Sequence, residues 1–350
     1  MHLNHAIANN RHKVLLSSSE SSYFTDIDAT SSFSSSCLYD KSIQIEYPWK
    51  DIVRPIHTFV GSCNGLLCFY IRNEYVRYFL RYDGIYLWNP STREYKVICK
   101  PPAAPVEPMK VAYGFGYGRK IDDYKLIQFR SDPDNYTVYT GSEVHIYTLG
   151  SNSWRRFGDV PYKIHDISVP MTHLNGVIHW VGREVIVSFD IVEERIKEIQ
   201  IPSSILGESY RNYIASLMTN RVADAKLGVL GEELCLSLEA SPENFYLWVV
   251  KDSGSVEDSW TKLLSISKEN PNWCSLRPLF RSFSNTNEIL FEVTRSSRHF
   301  TFPIYHFGYE ESYEKITLIS YDSKKERFNF MPDVPKKLHS VITYVEILVL

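Results

Sequence analysis

The sequence predicts an all-β chain that folds as a β-propeller-like ring of about six four-stranded antiparallel blades, closed by pairing of its N- and C-terminal strands. Three observations predict this fold class. The composition favours strands, because Tyr (24) and Phe (18) are abundant among 350 residues that are 44% hydrophobic. The chain also contains a diverged internal repeat, and it has almost none of the amphipathic helices that would connect the strands of a parallel sheet.

The repeat begins with a turn followed by an apolar strand. Residues 64–69 and residues 175–180 both start with Asn-Gly, and looser copies start at Gly231 and Asn287. Each copy is followed by a second strand, a polar turn and a third strand that usually ends near a proline, which cannot donate the next ladder hydrogen bond. Another short strand precedes each copy. Each unit therefore has four strands in about 45 to 60 residues, the length of kelch-type propeller blades.

Five units cover the middle of the chain, and the two ends supply a sixth. The units are predicted at about residues 56–102, 109–161, 167–202, 214–266 and 276–335. Residues 13–47 contribute three strands to a composite blade, and residues 341–350 contribute the fourth. Joining the first and last strands in one sheet removes exposed edges and closes the ring without a covalent link. The alternative is a flexible tail at each end, because residues 17–36 are rich in serine.

Loop lengths distinguish the two faces of the predicted ring. If the strands of a blade are labelled A to D, the A–B turns are short, whereas three B–C connections are long, at residues 72–84, 130–141 and 294–315. Long loops concentrate binding residues, and Tyr and Arg carry much of the energy at protein interfaces. Any single one of these side chains could instead plug the surface of the ring itself. As a set they predict a face that binds a target protein, with the candidate residues Arg72, Tyr75, Arg77, Arg81, Tyr82, Tyr136, Tyr139, Arg295, Arg298, His299, Tyr305, His306 and Tyr309.

Catalytic and cofactor motifs are not found, so we predict no enzyme activity, no cofactor and no metal. Gly114, Gly116 and Gly118 do not have the spacing of a dinucleotide fingerprint and no helix follows them, which indicates close packing at a strand. The eleven histidines and six cysteines form no HxxxH, HExxH or paired Cys/His spacing. The carboxylate doublet at Asp122 and Asp123 is explained by a solvated A–B turn.

The charge and hydropathy of the sequence indicate the cellular compartment and the classes of partner to expect. A net charge of -3 and a pI near 6.4 give no basic footprint for nucleic acid. The sequence contains neither an apolar run of the ~18 residues that a membrane span needs nor a signal peptide. Its scattered cysteines indicate reduced thiols. We therefore expect a cytoplasmic and/or nuclear protein without nucleic-acid or membrane partners.

The order and spacing of the motifs resemble the plant F-box-associated domain, which is found in F-box/kelch-type proteins. The resemblance covers nearly the whole chain and is carried by residues 61–68, 87–93, 113–117, 122–125, 144–154, 174–180, 321–322 and 344–350. It implies the substrate-recognition subunit of a cullin-RING (SCF-type) ubiquitin ligase. In such a subunit an F-box docks on a Skp-type adaptor, and the propeller holds the target for ubiquitination.

The sequence departs from the family plan at its start, where an F-box should precede the domain. Residues 1–12 look like the linker that follows an F-box, and the propeller domain is expected at residues 13–350. A Skp-type adaptor is therefore expected as a partner only if the full-length product includes an F-box. Two alternatives remain open: a scaffold or competitor without an F-box, and a propeller-fold carbohydrate-active enzyme, either a hydrolase or an oxidase.

Overall fold

The computed structural model describes sixteen stretches of the chain and divides it into two compact units. The first unit takes in residues 1–13, 46–201 and 344–350, and the second takes in residues 14–45 and 202–343. The described stretches are residues 12–18, 22–27, 42–49, 55–73, 84–101, 110–131, 141–162, 170–182, 185–205, 225–241, 244–251, 259–267, 273–281, 288–295, 315–330 and 338–345.

Twenty-four β-strands make up nearly all of the described residues. They are β1 (His12–Ser18), β2 (Ser22–Ile27), β3 (Ile43–Ile45), β4 (Pro55–Cys63), β5 (Leu66–Asn73), β6 (Gly84–Trp88), β7 (Tyr95–Ile98), β8 (Lys110–Gly118), β9 (Asp123–Ser131), β10 (Ser142–Thr148), β11 (Ser153–Val160), β12 (Thr172–Leu174), β13 (Val177–Val181), β14 (Val185–Asp190), β15 (Arg195–Gln200), β16 (Lys226–Leu230), β17 (Glu233–Ser241), β18 (Asn244–Val250), β19 (Trp260–Ser267), β20 (Trp273–Arg281), β21 (Glu288–Arg295), β22 (Lys315–Asp322), β23 (Arg327–Phe330) and β24 (Leu338–Val345).

The first unit contains three four-stranded antiparallel sheets. Each is a meander in which consecutive strands pair, namely β4 to β7, β8 to β11 and β12 to β15. The strands of each sheet are A, B, C and D in chain order. Strands at the B and C positions are mostly buried, as in β6 and β9, whereas strands at the D position expose at least half of their residues, as in β15. Buried side chains from neighbouring sheets form shared cores between them.

The second unit contains one four-stranded sheet and one eight-stranded sheet. The four-stranded sheet is β16 to β19, and the eight-stranded sheet has the order β20-β21-β22-β24-β1-β2-β3, with β23 also paired to β22. The larger sheet thus consists of two groups of four strands, one formed by β20 to β23 and the other by β24 with β1 to β3. The two groups are joined where Ile316 of β22 pairs with Leu338 of β24. Because β24 pairs with β1, the predicted pairing of the N- and C-terminal strands is confirmed, and the total is six four-stranded groups.

Residues with positive φ shape the turns that connect consecutive strands. The A–B turns Asn64-Gly65 and Asn175-Gly176 have positive φ at both positions, which is the type I′ geometry that matches the twist of a hairpin. Three C–D turns begin at an Asn or Asp residue, namely Asn89, Asp190 and Asp322. The side-chain oxygen of each accepts hydrogen bonds from the backbone N–H groups two and three residues further on. The residue four positions further on has positive φ in each turn, at Arg93, Glu194 and Glu326.

The glycines of β8 allow close packing within the first unit, as the sequence predicts. A Cβ atom at Gly114 would lie 2.8 Å from Ile178 Cγ2, and one at Gly116 would lie 2.4 Å from His173 Cδ2. A part-buried ion pair joins the same two sheets, because the Nζ atom of the buried Lys125 lies 2.5 Å from Glu194 Oε1. The inner strands of neighbouring sheets therefore approach at distances that exclude a side chain.

The same constraint acts in the second unit at Gly228 in β16. A Cβ atom there would lie 2.4 Å from the Pro278 carbonyl oxygen in β20, which is a backbone atom that cannot rotate away. We expect Gly228→Ala to lower the free energy of unfolding by about 1 to 3 kcal/mol through overpacking, measured by urea denaturation.

Gly61→Ala is the matched control, because its Cβ would meet Phe115 at an ordinary 3.5 Å. It should change the free energy of unfolding by less than about 1 kcal/mol. Equal losses in the two variants would show that close approach is not the reason for glycine at residue 228.

A buried arginine ties the closing strand to β20 in the second unit. Arg277 donates to both carboxylate oxygens of Glu292, at 3.1 and 2.7 Å, and to the backbone oxygen of Val341 in β24 at 2.9 Å. The two charged side chains are 16% and 11% exposed. Thr343 strengthens the same contact by donating to the Leu279 oxygen at 3.5 Å.

Removing one member of this pair should cost more than removing both. We expect Arg277→Met to lower the free energy of unfolding by about 3 to 5 kcal/mol, because Glu292 is then left buried without its cation. The double variant Arg277→Met/Glu292→Met should recover at least half of that loss. Chemical denaturation of the wild type, the single variant and the double variant measures the difference, and a double variant as unstable as the single one would contradict it.

Candidate protein-binding site

Within each sheet, the B–C connection lies at the end of the strands opposite to the A–B and C–D turns. The B–C connections are long in three sheets, where residues 74–83, 132–141 and 296–314 separate strands B and C. They are short in two others, at residues 182–184 and 242–243. The long connections fall where the sequence places them, so the structure supplies the anchoring strands of the predicted binding loops.

The structure places the backbone of two candidate binding residues at the ends of B strands. Arg72 pairs with Ile56 across β5 and β4, and Arg295 pairs with Trp273 and with Lys315 at the end of β21. The other candidates lie outside the described residues, so their role stays a prediction. They are Tyr75, Arg77, Arg81, Tyr82, Tyr136, Tyr139, Arg298, His299, Tyr305, His306 and Tyr309.

A charged cluster borders the connection of residues 132–141. Glu143 lies 3.4 Å from Arg130 Nη1 and accepts a hydrogen bond from Arg156 Nε at 3.1 Å. Arg156 also lies 2.6 Å from Asp159. Arg130 is nearly buried, whereas Arg156 is half exposed, so the cluster presents fixed charges at the surface and anchors them in the sheet.

Sequence reasoning did not identify this charged cluster, although the sequence contains a signal for it. Arg130 and Glu143 flank the predicted loop, and antiparallel pairing places them directly opposite each other. Opposite charges at such cross-strand positions stabilise one another. A search for complementary charges at both ends of each predicted loop would have found the pair.

Two serines close the base of the same connection. The Ser131 and Ser142 hydroxyl oxygens are 2.6 Å apart, and Ser142 Oγ donates to the Tyr162 backbone oxygen at 2.7 Å. Tyr162 in turn donates its hydroxyl proton to Glu198 on β15. Burial and this hydrogen bond raise the pKa of Tyr162 to about 12. The loop is therefore anchored on a hydrogen-bonded frame that joins two sheets of the first unit.

Two buried histidines in β12 and β13 are neutral at physiological pH. Burial lowers the pKa of His173 to about 4, and burial together with the neighbouring His173 lowers the pKa of His179 to about 4. His179 Nδ1 lies 2.8 Å from Ser188 Oγ. His173 Nε2 is buried near Gly116 without a hydrogen-bond partner. These imidazoles pack within the sheet.

These histidines should make stability depend on pH. Their pKa is lower in the folded than in the unfolded state, so the unfolded chain binds more protons below about pH 6.5 and stability falls as the pH falls. We expect a loss of about 2 kcal/mol for each histidine between pH 7.5 and pH 5. Denaturation at a series of pH values measures it, and His173→Gln/His179→Gln should flatten the slope. An unchanged slope in that variant would contradict the assignment.

Across the sixteen described stretches, no group of three or more His, Cys, Asp or Glu side chains is placed to hold a metal ion. None of the helices within those stretches is long and apolar enough to cross a membrane.

The six groups of four antiparallel strands define the class of protein as a β-propeller domain protein. Residues 14–349 match the model of the F-box associated beta propeller domain, so the chain belongs to that family. The resemblance seen in the sequence motifs is thereby confirmed, and so is the predicted fold class.

The chain is similar to several F-box proteins of Arabidopsis thaliana. It is 27% identical to an F-box/kelch-repeat protein over 61% of this chain and 54% of that one. It is 31% identical to a second F-box protein over 62% of this chain and 52% of that one. It is also 26% identical to the F-box protein CPR1, over 84% and 70% respectively. The chain thus spans about half the length of the first two relatives.

Proposed function

We propose that this chain is a protein-binding module, the substrate-recognition domain of an F-box subunit of an SCF-type cullin-RING ubiquitin ligase. Its role is to recruit a target protein for ubiquitination, without bond chemistry of its own. The observation that carries the proposal is the family match over residues 14–349, together with relatives that are F-box proteins.

The target is proposed to bind where the long B–C connections leave the sheets. The strands on both sides of residues 74–83, 132–141 and 296–314 are anchored in multistranded sheets, which lowers the cost of ordering the loops on binding. The charged cluster around Glu143 and the serine frame at Ser142 fix the base of one of them. Loops on a rigid scaffold are the usual place for specific recognition.

Two partners follow from this proposal. The first is the target protein, held by Tyr and Arg side chains of the loops. The second is a Skp-type adaptor, which would bind through an F-box carried by the full-length product. The domain is proposed to span residues 13–350 and to act in the cytoplasm and/or the nucleus.

Arginines in two of the three long loops provide the test of target binding. We expect Arg77→Ala/Arg81→Ala/Arg298→Ala to reduce capture of the target from plant extracts at least tenfold, because arginine anchors carry much of the interface energy. Quantitative mass spectrometry of proteins retained by the immobilised chain measures this. Arg119→Ala/Lys120→Ala/Lys324→Ala is the matched control, since it removes three cations from exposed tight turns at the opposite ends of the strands.

Delivery of the target is tested by reconstitution. The chain fused behind an F-box, with a Skp-type adaptor, cullin and RING protein, should polyubiquitinate a captured protein, and the triple loop variant should not. Undiminished capture by the loop variant would refute the assignment of the loops. Turnover of glycosides or sugar alcohols by the purified chain would refute the proposal that it acts only by binding.

A further inference from the structure

The outer strand of the first sheet, β7, is an edge with little of the charge that usually protects such strands. Edge strands expose backbone N–H and C=O groups, and proteins generally blunt them with charged side chains to prevent unwanted pairing. β7 pairs with β6 on one side and is the last strand of its sheet in the described structure. Its exposed side chains include Tyr95 at 54% and Val97 at 41%, two of the four large hydrophobic side chains exposed to this extent among the described residues.

The D strands of the other two sheets in the first unit show the contrast. The exposed positions of β11 include Arg155 and Arg156, and each of these is ion-paired. β15 exposes Arg195, Lys197 and Glu198. Each of these edges exposes three charged side chains, whereas β7 exposes one, Lys96, between the exposed Tyr95 and Val97, so β7 is the edge suited to accept a partner.

The exposed side chains of β7 continue an aromatic cluster of the sheet. Tyr95 stacks on Tyr86 with ring centroids 6.0 Å apart, and Tyr86 lies 5.3 Å from the buried Trp49. Val97 pairs with Tyr86 across the strands, and a Cβ atom at Gly84 would lie 3.6 Å from Val97 Cγ1. Gly84 is where the loop of residues 74–83 rejoins the sheet, so the apolar patch adjoins a proposed binding loop.

Charge around the strand selects the kind of partner. Arg93, Lys96 and Lys100 surround β7 with positive charge, against one carboxylate at Glu94. The oxygen of Cys99, just beyond the strand, already accepts a hydrogen bond from Trp154 Nε1 at 2.7 Å. The open edge is therefore the short stretch Tyr95–Ile98, and its surroundings favour an acidic ligand.

We propose that β7 is a docking edge for an extended segment of the target protein in which apolar and acidic residues alternate. The segment adds as a fifth strand, its apolar side chains cover Tyr95 and Val97, and its carboxylates face the basic side chains. Main-chain hydrogen bonds supply affinity in this mode, and alternate side chains supply specificity. The inference rests on the proposed target-binding function and names the chemistry of part of the target.

A designed peptide tests the edge without knowledge of the target. The probe is a fluorescein-labelled peptide of alternating valine and glutamate, compared with one of alternating valine and lysine, titrated with the full chain and followed by fluorescence anisotropy. The acidic peptide should bind at least tenfold more tightly. Tyr95→Thr/Val97→Thr places a β-branched, strand-forming residue at both positions and should weaken binding of the acidic peptide at least tenfold. Lys96→Glu should reverse the preference between the two peptides.

Ile121→Thr is the matched control, because Ile121 is 40% exposed on the A–B turn between β8 and β9 and should leave binding unchanged. Strand addition also requires hydrogen bonds from the peptide backbone, and only every second amide of the peptide can face β7. N-methylation of one set of amides, either those of all valines or those of all glutamates, should therefore abolish binding, and N-methylation of the other set should leave binding unchanged.

Four results would overturn the proposal: equal binding of the two peptides, unchanged binding to Tyr95→Thr/Val97→Thr, equal effects of the two N-methylation patterns, or a dimer in sedimentation that dissociates in Tyr95→Thr/Val97→Thr. The last would assign the edge to a second copy of this chain. The peptide assay needs neither adaptor nor target. Loss of peptide binding with intact target capture therefore refutes the docking edge alone, whereas peptide binding without target capture refutes the proposed function.

Discussion

The pairing of β24 with β1 is the constraint on which the eight-stranded sheet depends. Without it, β24 and β1 would each present an open edge in the second unit, and edges of buried, apolar strands invite pairing with other chains. Val14, Leu15 and Leu16 of β1 are fully buried, as is Val341 of β24. Arg277 of β20 also holds β24 by donating a hydrogen bond to the Val341 oxygen. Strands from the two ends of the chain thus become interior strands of one sheet.

Close approach between inner strands is the second constraint, and it explains where glycine occurs. Gly114 and Gly116 face side chains of the neighbouring sheet, and Gly228 faces the backbone of β20. Because glycine has no Cβ atom, the sheets can approach closely enough at these positions to share tightly packed cores. The ion pair between the buried Lys125 and the partly exposed Glu194 then joins the two sheets that these β8 glycines bring together.

Much of the fold could be predicted from the sequence because its signals are local. Asn-Gly turns fix hairpin register within a few residues, and the repeated order of strand, turn and strand sets the number of strands in each unit. The Lys125–Glu194 contact was missed, since it joins residues 69 apart and depends on how two sheets pack. The charged cluster at Glu143 was not predicted, because it depends on which residues of β9 and β10 lie opposite each other. The loop side chains are the least predictable part, as a long connection has no side-chain periodicity to fix its path.

The separation of β1 from β24 along the chain also sets an order on biosynthesis. β1 ends at Ser18 and β24 begins at Leu338, so at about 5 to 20 residues per second the ribosome makes the second strand roughly 15 to 60 s after the first. The sheets of the first unit use only consecutive strands and become complete during that interval. Until that last strand emerges, the hydrophobic strand β1 lacks its partner on one edge, so its sheet can be completed only after nearly all of β1 to β24 has been synthesised.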